Sequence, residues 1–284
     1  MDDQRFGSVR TATQAGRFYE ADPEALRAQI QRMLEQALPI DLEHVPYGLL
    51  APHAGYLFSG SVAASAFRCV RGESFDGVIV LAPSHYRAFE GVALASHEAF
   101  ATPLGRVPVD AAAVAELKQC PGFLDDNSVH TVEHALEVEL PFLQVALTGE
   151  VPIVPVLVGS MDGNAIDRTT GQLQAFINRR AKEDHQRWLV VASSDTYHGY
   201  DPDECRKNDQ RLRHILEHMD TEQLCVDVRR NQVMACGWAP LALVMELSRR
   251  RGATRGVVLD RSDSQQGALG SGSYVVGYVA AAFV

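Results

Sequence analysis

The chain has 284 residues, of which 46% are hydrophobic and 22% charged. That balance excludes a largely disordered chain and lets a sizeable core form without disulfide staples. A formal net charge of −10, a pI near 5.4 and only three lysines (Lys118, Lys182, Lys207) exclude a nucleic-acid partner, whose phosphates demand clustered Lys and Arg. The densest basic run, Arg249-Arg250-Arg251, reads as the end of a helix, where cations suit the dipole. Five cysteines with no CxxC spacing (Cys69, Cys120, Cys205, Cys225, Cys236) read as reduced thiols of a cytoplasmic protein. The acidic start, MDDQRFGSVR, is read as carrying no signal peptide. The longest apolar run, residues 274–284, is too short to span a bilayer, so no membrane contact is expected.

In chain order, Asp22-Pro23-Glu24 opens a helix running to about Ala37, with an N-cap and Pro in the first turn. A strand over 47–51 ends in Pro52-His53-Ala54-Gly55, and a helix follows over 61–70. A strand over 77–82 ends in Pro83-Ser84-His85. Helices are predicted at 110–118 and 133–147, then a strand at 151–158. After a polar loop at 162–164 comes a helix over 165–180. The strand at 188–192 ends in Ser193-Ser194-Asp195. Helices at 209–219, 221–229 and 239–250 precede strands at 256–259 and 274–283, which flank a polar loop at 261–273. Continuous β-branched runs bounded by turn residues suit strands buried on both faces. The whole chain, 1–284, therefore reads as one α/β domain with a mostly buried central β-sheet flanked by helices.

Chemistry-bearing residues gather where strands end. His53 follows the first strand, His85 the second, and Asp195 and His198 the fourth. Open α/β sheets bind ligands beyond the carboxyl ends of their strands, so these side chains are expected in one cleft. His53 and His85 read as metal ligands or bases, since neutral imidazole is the commonest ligand for Zn, Cu and Fe. The alternative is a histidine bonded to loop backbone. Asp195 is expected either to orient His198 or a ligand imidazole, or to cap the next helix. Cys236 lies just before a helix, a position that lowers a thiol pKa, and Gly237 permits close approach. The other four cysteines read as structural.

His130-Thr131-Val132-Glu133-His134 has the order HxxEH, not the HExxH of zinc proteases. His134 is expected at the cleft edge, His130 at the surface, and Glu133 as a helix-terminal charge. His44, His97, His185, His214 and His218 have no supporting context and read as surface residues.

A set of segments taken in order is similar to the Memo-like family. They are Ala15-Gly16-Arg17-Phe18-Tyr19, Pro52-His53-Ala54-Gly55-Tyr56, Ala82-Pro83-Ser84-His85-Tyr86, Glu133-His134-Ala135-Leu136-Glu137 with Leu140-Pro141-Phe142, Ser193-Ser194-Asp195 with His198, Cys236-Gly237, and Val276-Gly277-Tyr278. The resemblance runs nearly end to end. That family is the second component of bacterial and archaeal gene sets pairing an AMMECR-type protein, a Memo-like protein and a radical-SAM protein. Its fold resembles class III extradiol ring-cleaving dioxygenases, which use non-haem iron. The resemblance implies His53, His85 and Cys236 as metal ligands, with Asp195 and His198 nearby, and a functional link to AMMECR-type and radical-SAM proteins. Extradiol enzymes carry two His and one carboxylate. Cys236 in the carboxylate's place departs from a ring-cleaving site. Family members are described as copper- or iron-binding redox proteins and, in animals, as phosphotyrosine-linked adapters.

The expected function is therefore a metal-dependent oxidoreductase or dioxygenase-like enzyme, with Fe or Cu preferred to Zn. His198 would serve as acid/base or hydrogen-bond donor and Asp195 would orient the site. The ligand would be an unidentified small molecule or peptide. One rival is a non-catalytic binding module using the same cleft. Another is a zinc hydrolase with Asp195 or Glu137 as general base.

Overall fold

The structure, a computed structural model, describes residues 8–266 and 273–284. The chain's first seven residues, on which the signal-peptide expectation largely rests, and residues 267–272 of the loop expected at 261–273 lie outside them. The elements in order are β1 (Val9–Arg10), α1 (Pro23–Gln36), β2 (Gly48–Ala51), α2 (Tyr56–Arg68), β3 (Gly77–Pro83), β4 (Val92–Leu94), β5 (Ala99–Thr102) and β6 (Gly105–Pro108). Next come α3 (Ala111–Leu117), β7 (Phe123–Asp125), α4 (Asn127–His130), a 3-10 turn (Glu137–Glu139), α5 (Leu140–Ala146) and β8 (Ile153–Val158). The chain continues through α6 (Gly163–Glu183), β9 (Trp188–Ser193), β10 (His198–Gly199), α7 (Pro202–His218), α8 (Thr221–Arg229), α9 (Trp238–Arg251), β11 (Gly256–Asp263) and β12 (Val275–Phe283).

The fold is α/β. Its mixed main sheet runs β10-β12-β2-β9-β3-β8-β4-β7, with β11 paired to β12. The middle of it, β2-β9-β3-β8, is parallel; β12 joins β2 and β4 joins β8 antiparallel. A smaller sheet, β1-β5-β6, brings the start of the described chain beside the segment near residue 100. Strands β2, β3, β8 and β9 are buried at every residue, as their unbroken apolar runs dictate. Helix α9 packs on β2, β3 and β9, and α2 packs on β2, β11 and β12. Among the described residues no helix is long and apolar enough to cross a membrane.

Local chemistry sets the helix starts. The Asp22 carboxylate accepts from the Ala25 N–H at 2.8 Å, and Leu26, Ile30 and Leu34 form the buried stripe of α1. Helix α2 begins earlier than expected because the Tyr56 N–H donates to the Phe18 carbonyl, which anchors the turn after Gly55. Asp162, expected in a loop, caps α6 through the Ala165 N–H. Helix α7 likewise starts earlier, at Pro202 under the Asp201 cap. Strand β11 extends to Asp263.

The helix expected over 133–147 forms only over its later part. Residues after α4 turn, and helical structure resumes only at the 3-10 turn and α5. The Glu133 carboxylate takes the N–H groups of His134 and Ala135, so the side chain replaces helical backbone bonding. Pro141 then starts a new helix rather than continuing an old one.

Candidate metal centre

Register brings the site together. Strands β2, β9 and β3 are adjacent and parallel, with Ala51 opposite Ser193 and Leu81 opposite Ala192. Their carboxyl ends therefore share one edge, and the residues just beyond each strand meet there. His53 and His85 have ring centroids 5.2 Å apart. One ring nitrogen each of His53 and His85 and the sulfur of Cys236 all lie within 4.8 Å of one another. Metal–nitrogen bonds of about 2.0 Å and metal–sulfur bonds of about 2.3 Å imply tetrahedral ligand separations of roughly 3.3–3.5 Å. His53 Nε2 and Cys236 Sγ, 3.3 Å apart, already meet that spacing, and the other separations are no more than 4.8 Å.

Each imidazole is held from behind. The His53 N–H donates to Asp195 Oδ1 at 2.9 Å, its ring Nδ1 lies 2.7 Å from Ser193 Oγ, and its Nε2 is 3.3 Å from Cys236 Sγ. His85 donates its backbone N–H to Glu133 Oε2 at 2.6 Å, and its Nδ1 lies 2.9 Å from Glu133 Oε1. Burial alone would raise the Glu133 pKa, but the bonds and charge of His85 and the backbone N–H groups hold it below the ordinary carboxylate value. An ionised carboxylate only accepts, so His85 carries a proton on Nδ1, and Nε2 is the nitrogen not held by Glu133. This is the carboxylate–histidine arrangement that orients metal-binding imidazoles. Glu133 is thus buried behind His85 and is not a helix-terminal charge.

Cys236 packs where a side chain on its neighbour would not fit. A Cβ on Gly237 would stand 2.3 Å from the Ser193 carbonyl oxygen. The Gly237 N–H donates to Ser194 Oγ and the Cys236 N–H to the Asp195 carbonyl, tying this turn to the end of β9. The expectation of a lowered thiol pKa is overturned for the metal-free protein. Burial, then the Asp195 carboxyl, pushes the Cys236 thiol well up, and the helix start does not offset them. Burial, with His85, His134 and His198 adding to it, holds His53 well below the usual histidine range and hence neutral.

Asp195 meets no imidazole with its carboxylate and caps no helix; it accepts from the backbone N–H groups of His53 and Ala54. Burial raises its pKa to about 7. The atom at the His53 ring is instead that of Ser193. His198 stands at the start of β10, half-buried, with Nδ1 3.1 Å from the Thr196 carbonyl oxygen. It belongs to neither of the two groupings of metal-capable atoms found among the described residues. The second grouping is His85, Glu133 and His134. His134 stacks on His85 at 4.7 Å, with Nδ1 3.3 Å from the Tyr86 hydroxyl.

His130 is not at the surface. It is buried, with Nε2 3.1 Å from the Ala93 carbonyl oxygen, and burial lowers its pKa to about 3. His97 is only partly exposed and pairs with Ser8. Glu137, the alternative general base, is unavailable for that role. It is fully buried and bound by Arg10, Tyr19 and the backbone of Thr13 and Gln14. Ser193, Glu139 and Arg10 gave no chemical signal beyond lying within or beside the segments already singled out.

The comparisons with known proteins agree with the motif reading. The family model described as "Memo-like protein" matches residues 10–282. A MEMO1 family protein of Methanopyrus kandleri is 34% identical, with 96% of this chain and 98% of that protein covered. One from Aquifex aeolicus is 32% identical, covering 97% of this chain and 99% of its own length. One from Methanothermobacter thermautotrophicus is 33% identical, with 95% and 98% covered. A match of that extent places this chain in the Memo-like protein family.

Proposed function

We propose that this protein is a metal-dependent oxidoreductase, dioxygenase-like in the sense of the class III extradiol enzymes, and built as one Memo-like domain. One observation carries the reading. The Nδ1 atoms of both His53 and His85 are engaged from behind, by Ser193 and Glu133, while His53 Nε2 lies 3.3 Å from Cys236 Sγ and a His85 ring nitrogen joins the same cluster. Two imidazoles and one thiol form a borderline-to-soft donor set that suits Fe(II) or Cu, and also accepts Zn. When bound, such a metal supplies Lewis acidity or redox chemistry at the cleft. His53, His85 and Cys236 hold it. Glu133 and Ser193 fix the imidazole orientations. His198, neutral and with Nδ1 directed to a carbonyl, keeps Nε2 in a form that accepts a proton. Asp195 holds the backbone turn that carries His53.

The substrate is a small molecule or peptide, and the protein works in the cytoplasm in functional association with AMMECR-type and radical-SAM proteins. The second reading, a binding module in the same cleft, is favoured by exposed apolar side chains beside the site. Tyr86 contacts His134, Tyr274 faces His198 at 6.5 Å, and Tyr200 packs on Tyr274.

Metal analysis of protein purified without added metal or chelator, with O₂ uptake on the same sample, tests the proposal. Bound Fe or Cu with O₂ consumption supports it. Stoichiometric zinc without uptake would favour a hydrolase. Cys236→Ser is expected to lower metal content severalfold, and full retention would remove Cys236 from the ligand set.

A further inference from the structure

Beneath His53 lies a buried hydroxyl with more partners than protons. Ser193 Oγ is 2.7 Å from His53 Nδ1, 2.7 Å from the Ala135 carbonyl oxygen and 2.7 Å from Glu139 Oε1. A serine hydroxyl donates one hydrogen and accepts two. The Ala135 carbonyl has no proton to give, so it takes the one from Ser193. The other two contacts must then be donated to Ser193 Oγ: one by the His53 Nδ1–H, the other by an acid proton on Glu139 Oε1.

Other assignments leave a group unserved. With Glu139 ionised and taking the serine proton, the Ala135 carbonyl faces a lone pair at 2.7 Å. With Ser193 donating to His53, the Ala135 carbonyl loses its donor whatever the state of Glu139. The surroundings of Glu139 agree with the neutral acid. The side chain is fully buried, and its Oε2 has no hydrogen-bond partner. A charged carboxylate with an unpaired oxygen is strongly disfavoured in a core. Burial, the largest influence on Glu139, pushes its pKa well above the ordinary value.

We propose that Glu139 is a positioning residue that acts as a neutral acid: through Ser193 it fixes His53 as the Nδ1–H tautomer, leaving Nε2 bare beside Cys236. The site then orients its two histidines by opposite means, His85 against an anion and His53 against an uncharged hydrogen-bond chain. The metal-binding consequence rests on the metal-centre reading; the tautomer belongs to the metal-free protein.

The experiment combines nitrogen-resolved NMR of the histidine rings in the metal-free protein with Co(II) titration, for wild type, Glu139→Gln and Ser193→Ala. Wild-type His53 is expected to carry its proton on Nδ1. In Glu139→Gln an amide N–H replaces the acid O–H, so the tautomer persists and Co(II) affinity stays within about threefold of wild type. Ser193→Ala frees the tautomer and weakens Co(II) binding by about 10–100-fold. An Nε2-protonated His53 in wild type overturns the proposal. So does a folded Glu139→Gln protein that binds Co(II) tenfold or more weakly, the result required if Glu139 were an anion supporting the metal's charge. If wild type binds no Co(II), the metal-centre reading fails, while the tautomer still decides the role of Glu139.

Discussion

His85 meets its carboxylate partner 48 positions away, across the gap between β3 and the turn after α4. Glu133 serves four groups at once: the ring and N–H of His85, and the N–H groups of His134 and Ala135. Glu133→Gln removes the charge from all of them and loosens the His85 ring. Co(II) affinity is expected to fall by about 10–100-fold, measured by chelator competition. Unchanged affinity would show that His85 needs no carboxylate to orient it. At this scale the sequence exposed His53, His85 and Cys236, because strand ends and turn residues flag them. It did not expose Glu133 or Ser193, whose importance lies in partners 48 and 140 residues away.

Elements were legible where one segment carried its own instructions. Asp22, Pro23 and the apolar spacing of Leu26, Ile30 and Leu34 dictate α1 without outside help. Replacing Asp22 by Ala is expected to cost about 1 kcal/mol in urea unfolding while leaving metal binding untouched. The segment from Glu133 to Leu147 misled because helical spacing was present but Glu133 spends its acceptors on the turn's own N–H groups. Strands β4 to β7 are too short to show a period. At the join between β9 and α9, Gly237→Ala places a methyl against the Ser193 carbonyl, which is backbone and cannot rotate away. A loss of about 1–3 kcal/mol is expected, together with weaker Co(II) binding as Cys236 shifts. A variant as stable and as metal-competent as wild type would mean the turn relaxes freely.

Across the whole molecule, Arg10 ties the first strand to the cleft. Its guanidinium binds Glu137 and the carbonyls of His130 and Glu133, so the chain's start clamps the loop that carries His134. Burial alone would raise the Glu137 pKa, but Arg10, Tyr19 and Thr13 hold it below the ordinary value. A depressed carboxylate contributes stability above its unfolded pKa of about 4.3, and that stability is lost as pH falls through the folded value. Glu137→Gln should therefore be about 3–5 kcal/mol less stable near pH 7 and lose less on acidification, as read from urea midpoints against pH. Asp209 runs the other way. Burial raises it to about 6, so it favours folding below its unfolded pKa of about 3.9 and that contribution declines as pH rises through 6. Asp209→Asn should flatten the stability curve between those two values. Parallel acid slopes for Glu137→Gln and wild type would refute the assignment to Glu137.

The sequence alone determined the α/β class, the buried strands and the edge to which His53, His85 and Asp195 are delivered. Those follow from hydrophobic runs and turn residues, which act over a few neighbouring positions. Its family motifs also named Cys236 as the third ligand. Tertiary structure alone decided that Glu133 stands behind His85, that Ser193 and not Asp195 meets the His53 ring, and that His130 and Glu137 are buried in structural bonds. It also reversed the expected pKa shift of Cys236. Each of these depends on burial and on which distant polar groups share a low-dielectric core, and no local pattern encodes that.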